Sequence, residues 1–412
     1  MERAIADAHH ARDAKDVEAA VQWALAQKRS LEIVGHGTKR ALGRPAQVDA
    51  TLDLSGLTGV TLYEPEELVL SARAGTPLAE IEDLLDSKAQ QLAFEPMDYG
   101  PLLGLPSRQA TIGGVVAANL SGPRRIRAGA ARDHFLGFTA VSGRGETFKS
   151  GGRVVKNVTG YDLCKLIAGS WGTLAAMTDV TIKTLPRPET EASVLVHDLD
   201  PARAADAMAA AMGSSADVSG SAHLSAALAQ RASADVASGH SVTALRLEGV
   251  APSVVHRKAA LEDLLRPFGA LASLNDIQSR AFWRAIRDVV PFAAEGPAGK
   301  RHVWRLSVAP MQGAAAARTI AQQTDAEFLF DWAGGLVWAA LAPREDAGAA
   351  AVRAAVAAGG GHATLIRAPA SLRASVGAFT PQPDGIAALS RRVKEGFDPQ
   401  GVLGPGRMWA GV

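Results

Sequence analysis

Three glycine-bearing turns in the first half of the chain contain the residue types that bind phosphate groups. The first, Gly35-His36-Gly37-Thr38-Lys39, directly follows the apolar run Leu31–Val34. The second runs from Ser107 to Gly114 and ends in Thr111-Ile112-Gly113-Gly114, and the third lies between Lys156 and Pro186. Glycine lets the backbone approach a ligand closely, and consecutive free N–H groups form a concavity suited to phosphate oxygens. Three such turns predict one extended ligand that contains a diphosphate.

The order of these turns resembles that of a known protein family. The motifs that carry the resemblance are Gly35–Thr38, Ala110–Gly114, Arg132-Asp133, and Gly172-Thr173-Leu174 before a strand ending in Leu185-Pro186. In this order they are similar to the FAD-binding oxidoreductases of the vanillyl-alcohol oxidase type. Two further segments, Lys156–Leu163 and Phe397-Asp398-Pro399, are similar more narrowly to the FAD-binding E subunits of bacterial glycolate oxidases. The resemblance begins at about Asp16 and is loose in the middle of the chain.

The resemblance implies an α+β fold in two main parts. Residues 1–188 would form a p-cresol methylhydroxylase-type FAD-binding domain, residues 189–390 a cap domain with an antiparallel sheet and flanking helices, and residues 391–412 a tail that returns to the first domain. It also implies FAD as the cofactor. The residues expected to contact FAD are Gly35, His36, Gly37, Thr38, Lys39, Ser107, Thr111, Ile112, Gly113, Gly114, Asn119, Gly122, Asn157, Gly172 and Val180.

We expect the FAD to be bound noncovalently. Some relatives bond the flavin to a histidine that follows the paired glycines, and Thr38 takes that place here. His36 is therefore expected to shape the turn. In the tail, the resemblance leads us to expect Asn-Pro-Gly-Arg, but the sequence has Gly404-Pro405-Gly406-Arg407. The missing amide weakens the case for a flavin or substrate contact at residue 404.

Two side chains are candidates for a catalytic site. Arg305 lies in an expected strand, where its guanidinium could hold a substrate carboxylate by two parallel hydrogen bonds. A salt bridge or an exposed position is the alternative for Arg305. Tyr161 could face the flavin. The segment Asp331–Gly335, together with Trp338, could line the same cavity as Arg305 or belong to the ordinary core.

No metal site is expected. The ten histidines are scattered, with no His-x-His or His-Glu-x-x-His pattern. His302 and His362 are the histidines of the expected cap that lie near tryptophan or glycine on strand edges. Neither comes with a paired ligand, so a structural role is expected for each.

The cofactor implies the reaction class, which is hydride transfer from the α-carbon of a hydroxy acid while a base takes the hydroxyl proton. By resemblance the assembly would be a glycolate oxidase, with a catalytic flavin subunit and an iron–sulfur subunit as partners. Three possibilities remain open. This chain itself oxidises glycolate or another short 2-hydroxy acid; it holds flavin for assembly or electron relay while a sister chain does the chemistry; or it acts on an unrelated substrate. No base with an orienting partner is evident from the sequence.

Composition excludes several other classes of protein. A net charge of +1 over 412 residues gives no argument for nucleic-acid or membrane-surface binding. The one cysteine, Cys164, excludes an internal disulfide framework and a cysteine-ligated cluster within the chain. The sequence contains no apolar run of membrane-span length and no signal-peptide core. We expect a cytoplasmic protein, with any attachment to the inner face of a membrane made through partners.

The elements that position these residues can be predicted from periodicity and turn residues. In the first domain we expect a frayed lead over Met1–Lys15, a helix capped by Asp16, a helix capped by Thr76, a short helix at Asp162–Ala168, a hairpin of Phe138–Ser142 and Glu146–Lys149, and strands at Leu31–Val34, Thr51–Leu54, Glu67–Ala74 and Ala175–Leu185. The cap should contain six strands that alternate with alanine-rich helices on one side of the sheet. The stretch Ser214–His240, rich in serine and alanine, is expected to be a flexible insertion.

Overall fold

The computed structural model describes residues 7–45, 47–153, 160–237 and 239–412, and the polypeptide has the expected α+β fold. The expectations for Asn157 and its neighbour Lys156 fall outside the described residues. Within the described part of the chain, no helix is both long enough and apolar enough to cross a lipid bilayer.

A three-stranded parallel sheet holds the first glycine turn. Its elements are β1 (Asp7–His10), α1 (Ala14–Gln27), β2 (Leu31–Val34) and β3 (Ala50–Asp53), in the strand order β1-β3-β2. Asp13, rather than Asp16, caps α1, because its carboxylate accepts the N–H groups of Lys15 and Asp16. The prediction of a frayed lead is wrong for residues 7–15, since β1 pairs with β3 and α1 begins at Ala14.

A five-stranded antiparallel sheet, in the order β4-β5-β9-β7-β8, completes the first domain. The elements are β4 (Val60–Glu64), β5 (Val69–Arg73), α2 (Leu78–Asp86), β6 (Gln90–Gln91), α3 (Ile112–Ala117), α4 (Arg125–Ala128), α5 (Ala131–His134), β7 (Phe135–Ser142), β8 (Thr147–Gly151), α6 (Leu163–Ile167), β9 (Ala175–Lys183) and β10 (Leu185–Pro186). The predicted hairpin is confirmed as β7 and β8. The predicted cap of α2 is wrong: Pro77 stands at the N-cap, and the Thr76 hydroxyl donates to the carbonyl of Arg73.

An eight-stranded antiparallel sheet forms the second part, in the order β14-β11-β13-β12-β16-β17-β15-β18. The elements are β11 (Thr190–His197), α7 (Pro201–Met212), β12 (Gly220–Leu224), α8 (Ala226–Ala232), α9 (Ala234–Ala237), β13 (Val242–Gly249), α10 (Ala251–Leu265), β14 (Leu271–Leu274), α11 (Asp276–Arg287), β15 (His302–Ser307), α12 (Gly313–Ala321), β16 (Ala326–Asp331), β17 (Leu336–Leu341), α13 (Ala349–Ala358), β18 (His362–Arg367), α14 (Ala370–Ser375) and α15 (Asp384–Phe397). Short 3₁₀ turns occur at Pro101–Leu103, Val290–Phe292, Pro310–Gln312 and Trp332–Gly334.

The expected flexible insertion is in fact part of the sheet core. Residues 220–224 form β12, which lies between β13 and β16 and is buried along its whole length. Small Ser, Ala and Gly side chains allow close packing there, and His223 is satisfied by the Thr243 hydroxyl at 2.9 Å. Serine-rich composition alone therefore misled the prediction, because the neighbours that bury this strand are distant in sequence.

Helices cover both faces of the large sheet. Val194 and Val196 of β11 pack with α7 and α10 on the outer face. Ser193, the residue before Val194, points to the opposite, inner face, where it forms hydrogen bonds with Ser279 and Trp283 of α11 at 2.7 and 2.8 Å. The inner face thus meets α11 and the first domain, whereas the sequence predicted helices on one side only.

The domain limits remain a proposal. The strand β10 pairs with β6 of the first domain, and β11 opens the large sheet, so we propose a boundary at residues 188/189. The expected limit at residue 390 falls inside α15, so we propose that the returning tail begins at Asp384.

Candidate functional site

The first glycine turn leaves its backbone N–H groups free for a ligand. Within the described part of the chain, the N–H groups of residues 36–39 donate no hydrogen bond. Gly37 has a φ of +70°, a conformation that favours glycine. The Nδ1–H of His36 donates to the carbonyl of Gln109 at 3.0 Å, which joins this turn to the second one. The turn is therefore a row of donors held open by a histidine that shapes it.

The second turn packs directly against the first. A Cβ on Gly35 would lie 2.5 Å from the Thr111 Oγ1, so only glycine permits this approach. Thr111 caps α3, and its hydroxyl accepts the N–H of Gly114 at 3.3 Å. A Cβ on Gly113 would lie 2.7 Å from the carbonyl oxygen of Ala74, so this glycine serves the packing of α3 on the chain after β5. The two turns form one continuous wall.

The wall lines a cleft of about 720 Å³, with a second space of about 420 Å³ that shares residues with it. The cleft brings together most of the residues predicted to contact the cofactor. Those that line one or both spaces are Gly35, His36, Gly37, Thr38, Lys39, Thr111, Gly113, Gly114 and Gly172.

Lys39 gives the cleft its positive charge. Burial lowers the pKa of Lys39 to about 8, and the charge of Asp98 opposes this only in part. Its Nζ donates to the Thr38 hydroxyl at 3.2 Å, and no acidic side chain among the described residues pairs with it. A half-buried cation beside free N–H groups suits a diphosphate, which carries negative charge and accepts several hydrogen bonds. The residues present therefore fit FAD.

The tail closes the cleft from the other side, which the sequence did not predict. Gly404, Pro405 and Arg407 line the cleft, and the Arg407 Nη2 donates to the carbonyl of Lys39 at 2.8 Å. The chain here runs beside β2, with the Leu31 N–H donating to the carbonyl of Val402 at 2.7 Å. The sequence keeps the arginine of the expected Asn-Pro-Gly-Arg pattern as Arg407, but it gives no sign that this arginine contacts the first turn.

Several predicted cofactor residues do not line the cleft. Ser107 is exposed, whereas Ile112 and Val180 are completely buried in the core of the first domain. The Asn119 Oδ1 accepts the N–H of Arg132 at 3.0 Å and so holds the loop before α5. These residues support the cleft rather than face it.

Two more predicted residues lie elsewhere. The carbonyl of Gly122 accepts the Trp332 Nε1–H at 2.9 Å, which links the first domain to the cap. Tyr161 is 90% exposed and has no side-chain contact among the described residues, so it does not face the cleft. Tyr161 is therefore a poor candidate for catalysis in this chain.

Arg305 lies on the inner face of the large sheet, toward the first domain. It pairs with Trp338 on β17 and Thr364 on β18, while its neighbours Trp304 and Leu306 pack under the outer helices. Its guanidinium carbon lies 5.0 Å from the centre of the Trp332 ring and 6.0 Å from that of Trp338. Within the described chain it forms neither a hydrogen bond nor an ion pair. The salt-bridge alternative for Arg305 is thus not observed.

Two titratable groups lie near Arg305: Asp331, which the sequence suggested only as part of a cavity lining, and Tyr99, which sequence reasoning did not single out. Burial raises the pKa of Asp331 to about 7, although its carboxylate accepts the Trp332 N–H at 2.7 Å. Burial likewise raises the pKa of Tyr99 to about 12, and its ring meets Trp338 edge-on at 6.3 Å. Asp331 can therefore exchange a proton near neutral pH beside an arginine. Only tertiary burial produces this shift, so no local sequence signal marks it.

A buried ion network joins the two domains next to this site. Glu95 of the first domain receives two hydrogen bonds from Arg246 of β13, at 2.8 and 2.9 Å. Arg124 reaches across in the opposite direction, with its Nη2 2.7 Å from Glu248. Burial alone would raise the pKa of Glu248, but Arg246 and Arg124 together lower it. The network fixes the position of the cap over the first domain.

Two of the cap's four tryptophans lie near Arg305 and are internal. Trp332 and Trp338 are buried between the domains, and the Trp409 Nε1–H donates to the carbonyl of Thr380. Among the described residues there is no group of three or more His, Cys, Asp or Glu side chains that could hold a metal ion. Cys164 is buried, as expected for a small apolar residue.

Comparison with known proteins finds a family model that matches the first part of the chain and a relative that matches nearly all of it. Residues 8–151 match the family model of an FAD binding domain. The chain is 34% identical over 394 residues to glycolate oxidase subunit GlcE of Escherichia coli strain K12, which covers 95% of both chains. It is 30% identical over 162 residues to glycolate oxidase subunit GlcD of Bacillus subtilis strain 168, covering 39% of this chain and 33% of that protein.

The fold has a close counterpart among solved structures. The crystal structure of p-cresol methylhydroxylase superimposes with a TM-score of 0.69 over 97% of this chain and 88% of the other, at 14% identity. At this identity the likeness concerns the fold alone, and it agrees with the α+β architecture described above. With the GlcE match over nearly its full length, the chain belongs to the glycolate oxidase subunit GlcE family and is an FAD-binding oxidoreductase.

Proposed function

We propose that this chain is the FAD-binding subunit of a glycolate oxidase or dehydrogenase complex, which oxidises glycolate to glyoxylate and passes the electrons to an iron–sulfur partner. The observation that carries this proposal is the match to GlcE over 95% of both chains. The match of 162 residues to GlcD supports a second, catalytic flavin subunit in the same assembly. The complex would lie in the cytoplasm, with any membrane contact made by partners.

The cofactor would be held noncovalently. The free N–H groups of residues 36–39 and the Lys39 ammonium would bind the diphosphate, beside Thr111 and Gly114 on the same wall. Gly172 would lie along the remaining length of the ligand, opposite Gly404. Asn157 keeps its place in this proposal from sequence alone.

The chemistry would take place between the first domain and the cap. When bound, FAD would supply a hydride acceptor. Arg305 would bind the substrate carboxylate, because its planar guanidinium forms no hydrogen bond or ion pair within the described residues. Asp331, whose pKa burial raises to about 7, would take the hydroxyl proton. The chain has one cysteine, so a cysteine-ligated cluster for the onward electrons would belong to a partner.

Cofactor binding can be tested on the purified chain. Acid precipitation should release yellow flavin into the supernatant, because no covalent bond holds it. Colour that stays with the pellet, or a protein that remains colourless after incubation with FAD, would contradict noncovalent binding.

Function can be tested by co-expressing the chain with the catalytic flavin and iron–sulfur chains. We expect the three to elute together on size exclusion and to reduce a dye with glycolate. Anaerobic addition of glycolate to the lone chain then separates the possibilities: bleaching of its flavin means that it oxidises the acid itself. An unbleached flavin beside an active complex would mean a flavin-holding or relay role. A lone chain that stays monomeric beside the partners and turns over at the full rate would refute the complex.

A further inference from the structure

The interdomain site contains two arginines that form no ion pair within the described residues, although the charges of Asp133 and Asp331 act on them from a longer distance. Arg124 is tied to Glu248 and Glu95, but its chain neighbour Arg125 makes no side-chain hydrogen bond or ion pair within the described residues. Arg305 is in the same situation on the cap side. The guanidinium carbons of Arg125 and Arg305 lie 4.3 and 5.0 Å from the centre of one ring, that of Trp332. Two like charges therefore share one tryptophan, one from each domain.

The two arginines occupy different depths. Arg305 is half-buried on the inner sheet face, and Arg125 is exposed at the start of α4. His362 is also exposed and pairs with Ser307 two residues along the strand from Arg305, so it lies on the same sheet face. Burial, followed by the charges of Arg305 and Arg125, lowers the pKa of His362. The site thus has an inner cation, an outer cation and a histidine whose pKa these two cations help to lower.

Stacking on tryptophan does not account for this arrangement. A tryptophan ring attracts a cation weakly, whereas burial of an unpaired guanidinium and its repulsion from a second one are both unfavourable. Burial and the charge of Arg305 together lower the pKa of Arg125, which reflects this repulsion. An anion bound to both guanidiniums would remove it.

The remaining polar groups narrow the chemistry of that anion. Tyr99 is buried, lies against Trp338, and has a hydroxyl without a hydrogen-bond partner in the described chain. Planar guanidiniums match the planar, two-oxygen edge of a carboxylate, and a phenol hydroxyl can donate to the same group or to an adjacent oxygen.

We propose that Arg125 and Arg305 form a two-arginine clamp, closed by the Tyr99 hydroxyl, for the carboxylate of a short 2-hydroxy or 2-oxo acid. The identity of the acid rests on the proposed function, but the clamp itself requires only the described residues. Because one arginine comes from each domain, the site exists only while the cap sits on the first domain. Arg125 is the specificity residue that the first domain contributes.

The clamp can be tested by equilibrium binding to the FAD-loaded full chain, without turnover. Calorimetric titration should show one site for glycolate and for oxalate, and none for glycolamide, in which an amide replaces the carboxylate. Arg125→Gln and Arg305→Lys should each weaken oxalate binding by roughly 10- to 100-fold, as expected for lost charge-assisted hydrogen bonds. Arg125→Lys should restore part of the affinity, because it keeps the charge but not the fork.

The matched control is Arg127→Gln, two residues along α4, where an exposed arginine pairs with Asp217. It should bind oxalate like the parent, and the flavin absorbance of every variant should show that the protein is folded. Equal oxalate affinity in Arg125→Gln and Arg127→Gln would remove Arg125 from the clamp. Phosphate binding as tight as oxalate would overturn the carboxylate assignment. An inactive complex that still binds oxalate through these arginines would refute the proposed function and leave the clamp standing.

Discussion

At the scale of single residues, Lys39 should control the affinity for FAD and its pH dependence. Without cofactor, burial holds the pKa of Lys39 at about 8, and the diphosphate should raise it. Below pH 8 the ammonium is already present; above pH 8 binding must take up a proton, so affinity should fall as pH rises. One proton corresponds to a decrease of up to about tenfold per pH unit.

The Lys39→Met variant tests this directly. It should weaken FAD binding at pH 7 by roughly 10- to 100-fold, because a charge-assisted hydrogen bond is lost. FAD affinity can be measured by quenching of flavin fluorescence when the apoprotein is titrated between about pH 6.5 and about pH 9.5, a range that brackets the lysine pKa. The affinity of the variant should not change with pH over this range. Lys15→Met, on the exposed side of α1, is the control. An unchanged pH slope in Lys39→Met would show that another group titrates.

Asp331 should govern the pH dependence of turnover in the assembled complex. A base acts when deprotonated, so the rate with glycolate should rise with pH through about 7, the raised pKa of Asp331. Asp331→Asn should lower the rate by roughly 10²- to 10⁴-fold and remove this limb of the pH profile. The control is Asp263→Asn, an exposed residue paired with Arg266. If the rate of dye reduction by Asp331→Asn still rises with pH near 7, the base is another residue.

Sequence reasoning succeeded at this scale where the requirement is local. Glycine spacing predicted the turns that line the cleft, because close backbone approach depends on the residue itself. The predicted FAD contact of Val180 stays a prediction, and its side chain lies on the buried face of β9. Sequence reasoning named Asp331 only as a cavity-lining residue, because its shifted pKa depends on burial by residues far away in the chain.

At the scale of elements, the tail should be as important for FAD binding as the glycine turns. Arg407→Gln removes the bond to the Lys39 carbonyl, so the first turn should loosen and FAD affinity should decrease by about tenfold. The free energy of unfolding should fall by about 1–3 kcal/mol. FAD titration and urea unfolding provide the two measurements. Arg391→Gln on the exposed side of α15 should change neither, and an unaltered FAD affinity in Arg407→Gln would contradict a role for the tail.

Most elements of this chain were predictable, and the exceptions share a cause. Alternating apolar and polar residues and the turn residues between them predict strands such as β2 and the β7–β8 hairpin. β12 does not, because its small and polar residues are buried by β13 and β16 rather than by their own hydrophobicity. The strand β1 was missed for the same reason: its partner β3 lies some forty residues downstream, as the pairing of Asp7 with Ala50 shows.

At the scale of the whole molecule, the ion network should hold the two domains together. Glu95→Ala would remove one of the two buried carboxylates that Arg124 and Arg246 share and leave only Glu248, which should cost about 3–5 kcal/mol of unfolding free energy. Urea unfolding followed by intrinsic fluorescence would measure this loss. Asp217→Asn, which breaks only the exposed pair with Arg127, should cost about 0–1 kcal/mol. Similar losses in the two variants would mean that the network is not what couples the domains.

How the two parts of the chain meet could be anticipated only through family resemblance. Composition and periodicity indicate two parts, but the charges of Glu95 and Glu248 give no sign in sequence of which arginines they will meet. The same limit applies to Arg305: alternation predicts which sheet face it shares, and only the folded cap reveals that this face is turned toward the first domain.

Lys39 and Arg407 are 368 residues apart, and the ribosome makes the first long before the second. At about 5–20 residues per second, roughly 20–70 s separate them. During that time the nascent first domain has its glycine turn but not the strand-like segment that braces it. FAD loading should therefore be a late, post-translational event in the life of this polypeptide. A product of premature termination should be colourless, because it lacks the tail. The yellow colour of bound flavin would then indicate that synthesis has passed residue 407.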